Sequence, residues 1–426
     1  MAVYVVKPGD SLYSIAAAYG VTPERIAADN MIADPSKLVN GQSLYIAQGQ
    51  RVYTVRPGDT VYSLARRFGV TQQQILAANP QIGANAVIRQ GDRLIIPAPQ
   101  QRLGTIEVNG YIFPGSKVDV VTAALPSLTY LSIFSYEARA DGSLNSINDE
   151  EWITLARKNH VAPMMVVTNI REGGHFNSDL TRQIFADPQV QKNLINNILT
   201  TLQQKNYYAV NIDFEYIFPS DRQNYNRFIT ELTAALHPQG YQVFVALAPK
   251  LSATQAGVLY EAHDYAFQGR AADRVILMTY EWGYLAGPPQ AVAPLDQVRK
   301  VLNYAVTVIP REKILLGVPN YGYDWTLPYV KGTLATTFSN IEAVNRAQRN
   351  HAEIQYDSAA QSPYYTYYDA DKKQHIAWFE DARSVTAKYL LVNEYGLAGV
   401  SFWTAERPFP QNYLILNTMF TVKKVV

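Results

Sequence analysis

The 426-residue sequence contains no cysteine, which excludes disulfides, Cys-ligated zinc, iron–sulfur clusters and thiol nucleophiles together. It is poor in charge, with 17% Asp, Glu, Lys and Arg against about 25% in an average soluble domain. With 37 basic and 36 acidic side chains the net charge is +1. No long-range positive field draws in a phosphate backbone, so nucleic acid is not an expected partner. The six histidines (His160, His175, His237, His263, His351, His375) show no i, i+4 pair, and neither a metal nor a cofactor is expected. Long hydrophobic runs are also missing. Val161 to Val167 is strand-sized, far below the ~20 residues that cross a bilayer. Met1 leads straight into Val3-Tyr4-Val5-Val6 without a basic-then-apolar leader, so no signal peptide is expected. What remains is 48% apolar, ample for a large core, and a length that suggests two to four domains at ~150 residues each. The 30 tyrosines are ambiguous, since flat amphipathic rings stack on sugars and also fill cores.

The first hundred residues hold a tandem repeat. Val3 to Ala16 (Val-Tyr-Val-Val-Lys-Pro-Gly-Asp-Ser-Leu-Tyr-Ser-Ile-Ala) aligns with Val52 to Ala65. Both copies run on through an aromatic-Gly-Val-Thr (Tyr19 to Thr22; Phe68 to Thr71) to Asn30 or Asn79. They close on Gly-Gln-Ser-Leu-Tyr-Ile (Gly41 to Ile46) or Gly-Asp-Arg-Leu-Ile-Ile (Gly91 to Ile96). A strand ends at Pro-Gly, and Asp10 or Asp59, or the following Ser11 or Thr60, caps a helix with an apolar face. Thr22 or Thr71 caps a second helix, and the closing run pairs with the first strand. The result is two βααβ modules, expected at residues 1–48 and 49–98, joined by short linkers.

These repeats resemble LysM modules, which bind the N-acetylglucosamine-containing backbones of peptidoglycan and chitin. The resemblance implies a glycan lying between two loops of each module. These are Gly9, Asp10, Ser11 and Leu12 with Asn30 to Ile32 in the first, and Gly58, Asp59, Thr60 and Val61 with Asn79 to Ile82 in the second. A purely structural reading takes the Gly and Asp residues as turn and cap. Two linked weak sites on one polymer also raise the effective concentration of each.

From about Gly104 onward, apolar strands alternate with amphipathic helices. Eight strands are expected: Val108 to Phe113, Tyr130 to Tyr136, Ala162 to Thr168, Ala209 to Tyr216, Gln242 to Ala248, Arg274 to Tyr280, Lys313 to Val318 and Ala398 to Trp403. Helical patterns separate most of them, as at Pro188 to Lys205 and Arg222 to His237. Eight near-continuous apolar strands covered by helices define an α/β fold, a (β/α)₈ TIM barrel, over residues 102–426. The excess over the ~250 residues usual for the fold sits between strands seven and eight. There Glu353 to Phe379 reads as antiparallel strands around a turn, giving a small α+β insertion around residues 326–380 beside the cleft. Its Tyr364, Tyr365, Tyr367 and Tyr368 either line the cleft or pack within the lobe.

The chemistry concentrates on strand four, Tyr208-Ala-Val-Asn-Ile-Asp-Phe-Glu-Tyr216. Strand alternation puts Asn211, Asp213 and Glu215 on one face. Burying two carboxylates costs several kcal/mol each unless they are bonded or neutralised, and no Arg or Lys on the other strands obviously points inward to pair them. The end of a barrel strand is where this fold places its active sites. Residues i and i+2 of one strand, with Cα atoms ~6.6 Å apart, project side by side. They do not flank a sugar ring as a two-carboxylate glycosidase requires. Glu215 is therefore expected as the acid and the substrate's own 2-acetamido oxygen as the nucleophile. Asp213 would bond the acetamido N–H and help keep Glu215 protonated.

This stretch resembles the glycoside hydrolase family 18 signature, Asp-Gly-x-Asp-x-Asp-x-Glu. Tyr208, Ala209 and Asn211 replace the first Asp, the Gly and the middle Asp, while Asp213 and Glu215 are intact. Met278-Thr-Tyr280-Glu281 is similar to the family's Met-x-Tyr-Asp, and Gly317 to Gly322, which contains Tyr321, to its Gly-x-Pro-x-Tyr-Gly. Gly399 to Trp403 is similar to its last strand. The resemblance implies that Tyr280 donates to the acetamido carbonyl and that Trp403 floors the reactive sugar's subsite. Core packing is the competing reading for both, and Tyr111 is a further candidate for the same pocket.

Across the whole chain, the combination resembles the spore cortex-lytic, germination-type N-acetylglucosaminidases of endospore-forming bacteria. That implies a retaining hydrolase of cortex peptidoglycan held in the spore's outer layers (coat or cortex), which an absent leader suits. Cortex muramic lactam has its 2-amino group tied into a ring and offers no acetamido nucleophile, so cleavage would follow N-acetylglucosamine. A chitinase or general β-1,4-N-acetylglucosamine hydrolase is the alternative, and a non-catalytic glycan-binding protein a second one.

Overall fold

Both repeats fold as small βααβ modules in the computed structural model, which describes residues 1–47, 51–83, 85–97, 102–171 and 174–426. The expected linkers fall mostly outside the described residues. Ala2–Val5 pairs antiparallel with Ser43–Ile46, and Arg51–Thr54 with Arg93–Ile96. Gly9 and Gly58 take φ of +87° and +83° at the strand-to-helix turn, a conformation that side chains oppose. The caps are Ser11 and Thr60, each in a reciprocal capping box with the serine three residues on. Asp10 and Asp59 do another job. Each accepts the hydroxyl of the tyrosine on the first strand, at 2.7 Å, and the backbone N–H of Lys7 or Arg56.

Eight parallel strands close a barrel: Gly104–Ile112, Tyr130–Glu137, Ala162–Thr168, Ala209–Asp213, Gln242–Leu247, Arg274–Leu277, Ile314–Pro319 and Gly399–Trp403. Each pairs with the next, and the eighth returns to the first. Helices Pro188–Lys205 and Arg222–Leu236 cover it where their apolar periodicity predicts. Ala209, Met164, Val166, Phe244 and Ile276 fill the interior, while Val210 and Ile212 face the helix layer. Strand four therefore turns Asn211 and Asp213 inward. An interior ion pair does exist, contrary to the expectation from the strands. Arg274 forks onto Glu107 at 2.7 Å through both contacts, and Lys423 adds a third at 2.9 Å. It is built from residues that open strand six and precede the mid-point of strand one, at the end of the barrel away from Asp213.

Strands four and six stop earlier than the apolar pattern suggests, at Asp213 and Leu277. Beyond them the chain leaves the ladder. Thr279 N–H turns back onto the Leu277 carbonyl and Tyr280 N–H onto that of Met278, each at 2.8 Å. The insertion is a five-stranded antiparallel sheet with helix Asn340–Arg349. Its first strand, Gly322–Leu327, follows strand seven almost directly. Tyr364 stacks on Trp378, Tyr365 bonds the Ala343 carbonyl and Tyr367 bonds Asp324, so these rings pack within the lobe.

The first module is seated on the barrel. Its second strand is buried along its whole length, and Tyr45, 6% exposed, belongs to the barrel's own helix-layer core. Ser43 Oγ accepts the Ala382 N–H at 3.1 Å, and the Asn40 carbonyl accepts the Ile354 N–H at 2.9 Å. Gln411 donates to Asn30 Oδ1 at 2.5 Å and to the Ser43 carbonyl at 3.0 Å. Among the described residues, no hydrogen bond or salt bridge joins the second module to the rest of the chain.

Candidate active site

Glu215 lies just past the end of strand four, where its backbone is clamped by one side chain. Asn169, the residue after strand three, accepts the Glu215 N–H at 2.9 Å and donates to its carbonyl at 2.8 Å. The next residue, Tyr216, sits at φ +54°. Glu281, just beyond strand six, is at φ +66°. Bulky side chains avoid this left-handed region at a cost of about 1–3 kcal/mol each, and both outliers flank the same cleft.

That cleft encloses about 670 Å³ at the C-terminal end of the barrel. Asp213, Glu215, Tyr280, Tyr111, Met278, Glu281 and Trp403 all line it. Two other residues singled out in the sequence stand behind the lining. Asn211 is fully buried and donates to the Tyr111 hydroxyl at 2.6 Å. Tyr321 bonds the Glu281 carboxylate, as does Tyr323 at 3.0 Å. Trp403 forms one wall with Tyr111, Phe113 and Phe134, at ring centroid distances of 5.2, 5.8 and 5.0 Å. Sequence reasoning missed Asn169, Phe134, Phe176 and Tyr323. Asn169 directly follows an apolar strand and Phe134 lies within one, and the position of Asn169 at a strand end could have flagged it. Phe176 and Tyr323 belong to a short hairpin and to the lobe, and nothing in the one-dimensional pattern marks them.

The electrostatics suit an acid. Burial raises the Glu215 carboxyl well above its ordinary range, with the Asp213 and Glu281 charges adding to the shift. Burial raises Asp213 as well. Asp213 Oδ1 and Asn211 Oδ1 are buried without a donor among the described residues, and burial is what disfavours a negative charge at Asp213. Both shifts favour the protonated form, which therefore persists to higher pH than in an exposed carboxyl. Burial also holds the Tyr280 phenol far above its usual value, leaving it a hydrogen-bond donor at neutral pH. The cleft thus offers a protonated carboxyl, a second carboxyl beside it and a phenol donor, with an aromatic wall.

The module loops divide differently. Gly9, Ser11, Gly58 and Thr60 are exposed, and Asp10, Ile32, Asp59 and Ile82 are half-buried. Leu12 and Val61 are module core, because the cap residue before each turns them inward. Asn30 and Asn79 donate to carbonyls of their own second helix and second strand and accept that strand's N–H. The side chains of these four residues thus turn away from the loop surface: the apolar pair is covered, and the two amides hold helix to strand.

The fold is that of a glycoside hydrolase, with a buried carboxyl pair at the end of the fourth barrel strand. Residues 112–407 match the glycosyl hydrolases family 18, and the chain belongs to that family. Residues 4–47 and 53–97 match the LysM domain. The sequence is 44% identical over 431 residues to the cortical fragment-lytic enzyme of Bacillus subtilis, covering 100% of this chain and 99% of that protein. The crystal structure of the Bacillus megaterium spore cortex-lytic enzyme SleL superimposes with a TM-score of 0.85 at 38% identity, covering 100% and 99% of the two chains. A chitinase from Chromobacterium violaceum matches 74% of this chain and 98% of its own, with a TM-score of 0.69 and 26% identity.

Proposed function

We propose that the protein is a retaining N-acetylglucosaminidase of spore cortex peptidoglycan that works in the spore's outer layers. Glu215 protonates the glycosidic oxygen, while the substrate's own acetamido oxygen attacks the anomeric carbon and expels the leaving sugar. Asp213 bonds the acetamido N–H. Tyr280 donates to the acetamido carbonyl as charge develops there, and Trp403 floors the ring. Glu215, now ionised, then takes a proton from water as that water opens the cyclic intermediate and restores the configuration. The carrying observation is the state of the cleft's carboxyls. Besides the side-by-side pair, Glu281 is the one other carboxylate in the lining among the described residues, and two tyrosine hydroxyls engage it. That leaves no free protein nucleophile opposite Glu215.

The lining also favours cortex over other walls. It contains no Lys or Arg among the described residues, so lactyl and peptide carboxylates meet no counter-charge, whereas muramic lactam is neutral. The exposed loops of the modules hold the enzyme to the same polymer.

Mass spectrometry of products from purified cortex fragments and from chitin oligomers tests this. Cortex should yield reducing-end N-acetylglucosamine, and Glu215→Gln should lower the rate by about 10²–10⁴-fold while sugar binding persists. Cleavage of chitin alone would assign a chitinase. No products from either, with binding intact, would leave a glycan-binding protein.

A further inference from the structure

A groove outside the cleft plays no part in this mechanism. It runs between the first module and the barrel, beside the barrel helices Val118–Ala124 and Pro410–Met419. It measures about 1090 Å³ to its open mouth, and its walls include Met31, Val120, Ala123, Arg407, Phe409 and Tyr413. Excluding the open mouth, about 510 Å³ is available to an occupant, within the ~300–1,000 Å³ of a small-molecule site.

Its upper end adjoins the rim of the cleft. Arg407 lies four residues beyond Trp403, and its guanidinium sits 5.6 Å over the ring of Tyr321, the residue that bonds Glu281. Phe113, packed on Trp403, opens the loop that leads into the Val118 helix. The two loops are tied together by Ser116 Oγ donating to Glu406 at 2.5 Å. At the far wall Met31 is 46% exposed at φ +49°, an apolar side chain held out in a strained conformation.

The walls are mostly apolar, and most charges at the edge are engaged. Asp29 is bonded by Arg25 at 2.7 Å, and Arg407 donates to Thr337 Oγ1 and the Phe338 carbonyl. Such a surface suits the apolar faces of uncharged pyranose rings better than an anionic chain. A polymer cut in the cleft is longer than the cleft and must leave over its rim.

We propose that this groove is an accessory glycan tract, holding uncharged N-acetylated sugars of the strand that leaves the cleft over the Phe113–Trp403 rim. The inference rests on the reading of the cleft as a glycan hydrolase site.

Ala123 is exposed on its helix and lies outside the module loops, so Ala123→Trp obstructs the groove without entering the core. This substitution should lower kcat/KM on long glycan strands by about tenfold, equivalent to 1.4 kcal/mol, and leave turnover of an N-acetylglucosamine trimer unaffected. In the Glu215→Gln background a chitin hexamer should bind more tightly than the trimer, and Ala123→Trp should abolish that gain. Unchanged rates on both substrates, or equal losses on both, would overturn the tract. So would a change of oligomeric state with no change in glycan binding, which would give the groove to a second copy of the chain. If the unmodified protein cleaves neither substrate, the hydrolase reading fails, while hexamer-against-trimer binding still decides the groove.

Discussion

The two N-terminal modules share their turns, caps and inward-facing residues, yet one is part of the barrel's packing and the other is not. Leu44 and Ile46 match Leu94 and Ile96, and all four are buried in their own modules. The alternate positions on the same strand differ. Where the first module has Ser43 and Tyr45 against the barrel, the second has Arg93 and Ile95, with Arg93 exposed. Because strand side chains alternate, one face keeps the module folded while the other is free to become an interface. A Cβ on Gly41 would lie 1.8 Å from the Ile354 carbonyl oxygen, whereas one on Gly91 would meet nothing within 4 Å. The same glycine serves a turn in both modules and a close approach in only one.

The largest expected effect that tests this contrast is removal of residues 1–47. It uncovers the surface beneath Tyr45, whose burial and hydrogen bonds together contribute about 3 kcal/mol. The barrel's Tm should then fall by roughly 5–10 °C, with activity on soluble oligosaccharides lost in parallel on heating. Melting the second module with Leu64→Ala, which empties its core, should leave the barrel's transition in place. A barrel indifferent to both would end the distinction. Next comes the glycine pair. Gly91→Ala should cost only the left-handed backbone penalty, about 1–2 kcal/mol within its module. Gly41→Ala adds the clash with Ile354 and should undock the module, which hydrogen exchange at Ser43–Ile46 would report.

Much of this architecture is legible in the sequence, and the boundary of legibility is physical. Period-two and helical patterns report burial, so eight barrel strands and the module helices emerge from them. Asp213, Glu215 and Tyr280 are legible because buried polar groups in apolar strands are anomalous. What does not emerge is whatever depends on contacts distant along the chain. Asn169 clamps Glu215 from the adjacent strand, Tyr323 reaches Glu281 from the lobe, and Tyr45 reads as one more apolar residue of a module strand. The early ends of strands four and six belong here too. Continuing apolar character carries the pattern past the point where the backbone turns away to present Glu215 and Tyr280 to the cleft.

The smallest effect gives the sharpest test of the contrast. Asn30 and Asn79 perform the same task in the two modules, and in each the amide oxygen receives one bond from beyond the lock itself. Asn79 receives it from Gln81 of its own module at 3.1 Å, and Asn30 from the barrel's Gln411 at 2.5 Å. Gln81 is exposed, so Gln81→Ala lets water replace the bond and should change stability by less than about 0.5 kcal/mol. Gln411 is buried and also serves the Ser43 carbonyl. Its removal takes the side-chain donor from the buried Ser43 carbonyl and leaves Asn30 Oδ1 with the Tyr45 N–H alone, at about 1–3 kcal/mol. Hydrogen exchange should therefore show the first module opening more often in Gln411→Ala, with no matching change in the second module for Gln81→Ala. Equal responses would mean that the first module's lock is as self-sufficient as the second's, leaving Tyr45 and the Gly41 approach to account for the seating.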